Sequence, residues 1–195
     1  MKIAILGWGS LVWDPRALAT IGEWQPGGPI LPIEFSRKSK DGRLTLVIDP
    51  ANGELVTTLY IRSRFENLNA AIGNLRERED NPPQDRIGYV NLVAHTERAW
   101  ARENYPDACD TITAWAQAND WQAVIWTALL PNFEEKQHEP FTVPAAVRYL
   151  NGLADETRIR AFEYIRRAPP EIMTPLRRAL QAPAPRDAAV PKDPA

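Results

Sequence analysis

The glycine loop after the first strand restricts the fold of this chain more than any other feature. Lys2-Ile3-Ala4-Ile5-Leu6 is a short apolar run rich in β-branched residues, and it leads into Gly7-Trp8-Gly9-Ser10, the pattern of a buried strand entering a glycine loop. A doubly wound nucleotide-binding fold would place a third glycine next and start a helix there. Here the third position is Val12, and Trp13-Asp14-Pro15 stands in the way of a helix. Two hairpin dipeptides come next instead. Asp41-Gly42 and Asn52-Gly53 separate apolar segments at 30–36, 43–49 and 55–61, which predicts an antiparallel meander of three strands.

The rest of the chain alternates in type. Asp14-Pro15 is an N-cap and first-turn pair for a short helix to about residue 21. Phe65, Leu68, Ile72 and Leu75 recur at the helical period, predicting a helix over 64–79 that Asn81-Pro82-Pro83 stops. A strand is expected at 87–93 and a helix at 106–118. The nearly all-apolar segment 123–130 reads as a central strand. Helices are then expected over 144–151, from a cap at Asp155 to about 167, and from Thr174-Pro175. Strands first and helices later make an α+β fold with a mixed sheet and flanking helices. Residues 1–181 form one domain on this reading, and 182–195, with four prolines, a disordered tail.

Composition narrows the function. The net charge of −2 comes without any Lys/Arg stripe, so no nucleic-acid partner is expected. No apolar stretch approaches the ~20 residues of a membrane helix, and the first strand is too short for a signal segment, which predicts a cytoplasmic protein. Cys109 has no internal partner, and with only His95 and His138 there is no zinc-like cluster. No metal or cofactor is expected.

Two places could carry chemistry. The glycines around Trp8 let the chain turn sharply, leaving the N–H groups of Gly9, Ser10 and Leu11 to converge on a carboxylate or phosphate; the alternative is a turn that merely reverses the chain. At ~100° per residue, Glu79 continues the stripe of Leu68, Ile72 and Leu75, whereas Glu77 faces away. Burial and the negative end of the helix dipole both disfavour its ionised form, which suits a base working near neutral pH. The plainer alternative is that Glu79 frays into solvent or pairs with Arg76 or Arg78. Arg37, after the second strand, could assist a substrate carboxylate, or belong to a solvated hairpin face.

Taken together, Gly7-Trp8-Gly9-Ser10-Leu11-Val12-Trp13 and Leu75-Arg76-Glu77-Arg78-Glu79, with Gly88-Tyr89 opening a strand, resemble the γ-glutamylcyclotransferase-like superfamily, closest to its ChaC branch. The likeness covers roughly residues 1–93. Where the family has a loop tyrosine this chain has Trp8, so the hydroxyl's hydrogen bond is lost or taken over by the indole N–H. The segment between Glu79 and Gly88 is also longer than the family pattern. The resemblance implies a mixed sheet or small barrel with the cleft at its mouth and no cofactor. It implies closure of 5-oxoproline from a small γ-glutamyl compound with release of the amine. Glu79 would be the catalytic base, and Gly7, Trp8, Gly9, Ser10, Leu11, Arg37 and Tyr89 would hold the substrate. The rival expectation is a binding or regulatory protein that keeps the fold without turnover.

Overall fold

The computed structural model describes residues 1–181; the tail expected over 182–195 lies outside the described residues. Seven strands form one sheet: β1 (Ile3–Gly7), β2 (Thr20–Lys38), β3 (Leu44–Ile48), β4 (Glu54–Ser63), β5 (Ile87–Asn91), β6 (Thr96–Glu97) and β7 (Ala123–Thr127). Their order is β3-β2-β4-β1-β7-β5-β6. The outer strands β3 and β6 have no ladder between them among the described residues. All pairs are antiparallel except β1 with β7, which run parallel with Ile3 opposite Ala123. The class is α+β, with a mixed sheet and flanking helices.

β1 sits in the middle because it can be buried on both faces. Ile3 and Ile5 join α1 (Leu68–Arg78) in one apolar cluster. Ala4 and Leu6 join the other, larger cluster, which also takes in α3 (Pro106–Ala118), α5 (Val143–Asn151), α6 (Asp155–Arg167) and α7 (Pro175–Gln181). β7 alternates in the same way, with Val124 and Trp126 on one side and Ala123 and Ile125 on the other. Near-continuous apolar runs are what two covered faces demand. Short helices α2 (Ala99–Asn104) and α4 (Phe133–Gln137) complete the set. Glu34, fully buried on β2, anchors the last helix by accepting the Leu176 N–H at 3.1 Å and the Phe35 N–H at 2.7 Å.

The structure departs from the sequence expectations in three instructive ways. No helix spans 14–21: Arg16 takes a left-handed φ of 49°, the segment closes as turns, and β2 begins at Thr20. β2 is also far longer than expected, because the glycine- and proline-rich stretch 26–29 is absorbed as a bulge, where the register with β4 shifts between Pro26 and Ile30. Gly27 supplies the φ of 89° that this needs. Finally, the three strands do not form a meander. β3 and β4 both pair with β2, which changes partner around Ile33. Asn52-Gly53 therefore carries the chain past β2. The Asp49 carboxylate accepts the N–H groups of Ala51 and Asn52, both at 3.1 Å. A Cβ on Gly53 would stand 2.6 Å from the Pro32 carbonyl carbon, so only glycine fits the crossing. Among the described residues no helix is long and apolar enough to cross a membrane.

Candidate active site

β1 and β7 run parallel and end at the same edge of the sheet, beyond which lies a cavity of about 710 Å³. Its walls include the loop after β1, the end of α1, the 37–47 region of β2 and β3, Thr127 at the end of β7 and Leu129 beyond it. The loop closes through Val12 N–H to Gly9 O (3.0 Å) and Asp14 N–H to Ser10 O (2.8 Å), so the turn does not consume the N–H groups of Gly9, Ser10 and Leu11. Trp8 is buried, and its indole N–H donates to Leu46 O at 3.3 Å. That bond ties the loop to β3.

α1 delivers Glu79 to the same cavity. Asn67 caps its start through the Ala70 N–H. At its other end Glu79 is the C-cap, and Asp80 and Asn81 take left-handed φ values of 60° and 56°, which Asp and Asn tolerate better than most residues. Glu77 is exposed on the outer face while Glu79 keeps only 18% of its side chain accessible. Burial pushes the Glu79 carboxyl above the usual range and neighbouring Asp80 adds to it; Arg78, and then Arg16, pull back against that.

Arg78 is the residue sequence reasoning underrated. Its side chain is only 4% exposed. Nη1 meets Glu79 Oε1 at 2.6 Å, while Nη2 donates to Asp14 O at 2.6 Å and to Ser10 Oγ at 3.2 Å. One buried cation thus locks the glycine loop to the end of α1, and its Nε has no partner among the described residues. The signal was present: Arg78 continues Ala71, Ile72 and Leu75 on the inward stripe, and a buried arginine needs acceptors.

A second unforeseen contributor comes from α6. Ala161, Tyr164 and Ile165 form its buried face, and Tyr164 reaches the loop so closely that a Cβ on Gly9 would lie 2.8 Å from its hydroxyl. Burial and then the Glu79 charge push that hydroxyl's pKa up, while the N–H groups of Leu46 and Ser10 act in the opposite sense. Part of the expected anion nest thus faces a phenol oxygen supplied by the chain itself. The i, i+3, i+4 spacing marks Tyr164 as inward, but nothing local says which loop it meets.

Gly7, Trp8, Gly9, Ser10, Leu11, Arg37 and Glu79 all line this cavity. Tyr89 does not, and its expected place in the site is corrected. It lies in the middle of β5, packs with the α1-side cluster, and stacks under the Arg98 guanidinium at 4.9 Å. Strand alternation explains this: Gly88 and Val90 point one way, Ile87 and Tyr89 the other. Six cationic side chains line the cavity against three carboxylates, although the whole chain carries −2. No protein-family model, curated protein or solved structure matches this chain.

Proposed function

We propose that the protein is a cytoplasmic γ-glutamylcyclotransferase-like enzyme that closes 5-oxoproline from a small γ-glutamyl compound. The observation that carries this reading is a desolvated carboxylate, Glu79, lining the same cavity as the Gly7–Leu11 loop. The α-ammonium of the substrate gives a proton to Glu79, and the freed amine attacks its own γ-carbonyl carbon, forming the ring C–N bond. Glu79 returns the proton to the leaving nitrogen as the original C–N bond breaks, and the surplus proton that the ring nitrogen sheds follows the same route, so that the product is neutral at the lactam and the amine leaves as its ammonium. Ring closure within one molecule needs orientation more than machinery, and loop N–H groups with the Arg78 cation supply attraction for the substrate's α-carboxylate. Wild-type protein should release 5-oxoproline from one or more members of a γ-glutamyl panel. Glu79→Gln should lower that by ~10²-fold or more, with Glu77→Gln as the control on the outer face. An active Glu79→Gln protein refutes the assignment of the base.

The 2.6 Å ion pair with Arg78 favours a second reading, because it lowers the basicity of Glu79 in the free protein. On that reading the fold binds a γ-glutamyl ligand without turning it over. Ligand-induced stabilisation of a wild type that makes no 5-oxoproline would select it.

A further inference from the structure

We propose that Arg16 is a positioning residue for Glu79: reaching across from the loop after β1, it closes the end of α1 and keeps the Glu79 carboxylate in the cavity and out of solvent. This rests on Glu79 being the base of the proposed reaction, and adds the group that holds the base in place.

A helix leaves its last four carbonyls without an internal donor. At the end of α1 the chain supplies three donors from its own backbone: the Glu79 N–H reaches Leu75 O at 3.1 Å, the Asn81 N–H reaches Arg76 O at 2.9 Å and the Asp80 N–H reaches Glu77 O at 3.1 Å. The left-handed pair Asp80-Asn81 turns the chain back to make these bonds. The fourth carbonyl, that of Arg78, is met among the described residues from outside the helix, where Arg16 Nη1 donates to it at 3.4 Å. A cation at this point also suits the negative end of the helix dipole.

Arg16 is committed to that place. Its Nη1 meets Asp80 Oδ1 at 2.9 Å, and its Nε meets Asp14 Oδ2 at 3.4 Å. Asn74 of α1 fastens the backbone just beyond it, accepting the Ala19 N–H at 2.8 Å and donating to Ala17 O at 3.0 Å. Of the six non-glycine residues with left-handed φ among the described ones, Arg16 alone is not Asp, Asn or His, the types that tolerate it. Such a conformation persists where the surroundings over-determine it. Arg16, Asp80 and Asn81 all line the cavity that holds Glu79.

The role is geometric more than electrostatic. The side chains of Arg16 and Asp80 are 49% and 80% exposed, so solvent screens both, and they act on Glu79 in opposite senses. The other groups facing the carboxyl are Arg78, in direct contact, and the Tyr164 hydroxyl from α6. Burial is the largest influence on Glu79. Opening the last turn of α1 lets water reach the carboxylate and leaves a weaker, less well-aimed base.

The test follows the Glu79 carboxyl by NMR titration in wild type, Arg16→Gln and Arg16→Gly; an exposed side chain makes both variants foldable. Arg16→Gln should lower the Glu79 titration point towards the ordinary glutamate range, whereas a role through charge alone requires it to rise. Arg16→Gly, which relieves the backbone and removes the donor, should act in the same direction. Exchange of the Asp80 and Asn81 amides should quicken about fivefold or more in both. Release of 5-oxoproline is read separately: Arg16→Gln should lower kcat about tenfold or more with KM within about threefold. Added to Glu79→Gln, it should cost nothing further, because Arg16 works through Glu79. A titration point that rises or stays, unchanged amide exchange, wild-type turnover that Arg16→Gln leaves intact, or a full further loss in the Glu79→Gln protein overturns the proposal. A wild type that releases no 5-oxoproline, with the titration lowered and exchange quickened in both variants, sinks the cyclising reading and leaves Arg16 as the residue that places Glu79.

Discussion

Gly9→Ala isolates one contact in the site. Gly9 is not among the residues with positive φ, so alanine meets no backbone penalty there. Its Cβ would stand 2.8 Å from the Tyr164 hydroxyl, with the next neighbour, Leu46 Cβ, at an ordinary 3.8 Å. The whole effect therefore comes from one oxygen. Tyr164 has little freedom to withdraw: it is 7% exposed, with the Trp13 ring edge-on at 5.3 Å and Phe35 at 6.2 Å. Overpacking of this sort costs about 1–3 kcal/mol. Tyr164→Phe removes the oxygen and on its own loses about 1 kcal/mol of hydrogen bonding. Combined, the two substitutions should be only about as destabilising as Tyr164→Phe alone, a coupling of roughly 1–3 kcal/mol. Urea unfolding of the wild type, both single variants and the double variant reads this directly. Additive losses would refute the claim that the hydroxyl fills the space over Gly9.

Arg78→Met should destabilise the protein by about 3–5 kcal/mol, because it strands Glu79 and leaves Asp14 O and Ser10 Oγ without their donor. On the proposed cyclising reading, the burial-raised Glu79 carboxyl should place the acidic limb of any 5-oxoproline release above the ordinary glutamate range, with activity lost as pH falls through it. Removing Arg78 takes away the main opposing charge, so the limb should move to higher pH; an unmoved or lowered limb contradicts the electrostatic account. Burial pushes the Cys109 thiol up to about 11. A folded value above the unfolded one gives stability that is full below about pH 9 and lost as pH rises towards 11, amounting to about 2–3 kcal/mol. Denaturation of wild type beside Cys109→Ala across that window measures it, and parallel curves would refute it.

Local signals were legible where local chemistry decides. The segments 106–118 and 155–167 fold as helices, since a leading proline in the first and an acidic first turn and an amphipathic period in both are contained within them, although Ala154 and not Asp155 takes the N-cap position of the second. Glu79 is the same kind of case, because the helical period alone separates it from Glu77. Long-range pairing was not legible. Asn52-Gly53 carries a hairpin signature, yet β2 offers β4 a longer ladder than β3 could, and the turn chemistry yields to it. Tyr89 failed because the face that each alternate position of β5 presents is set by which cluster the whole strand packs on, and that puts Tyr89 with Ile87 on the α1 side. Arg78 and Tyr164 could be read as inward-facing from their spacing, but their partners lie 68 residues away in one case and on another layer of the fold in the other.

The parallel pairing of β1 with β7 has a consequence for how the chain is made. Ile3 finds its partner Ala123 only after 120 further residues have been added. At ribosomal speeds of about 5–20 residues per second this takes roughly 6–24 s. β4 can protect one edge of β1 early, but the other edge stays open throughout, on a strand whose five residues are all destined for burial. An unpaired edge of that character is a template for association with another chain. Newly made protein is thus exposed to aggregation for seconds, on the strand that later supports the glycine loop.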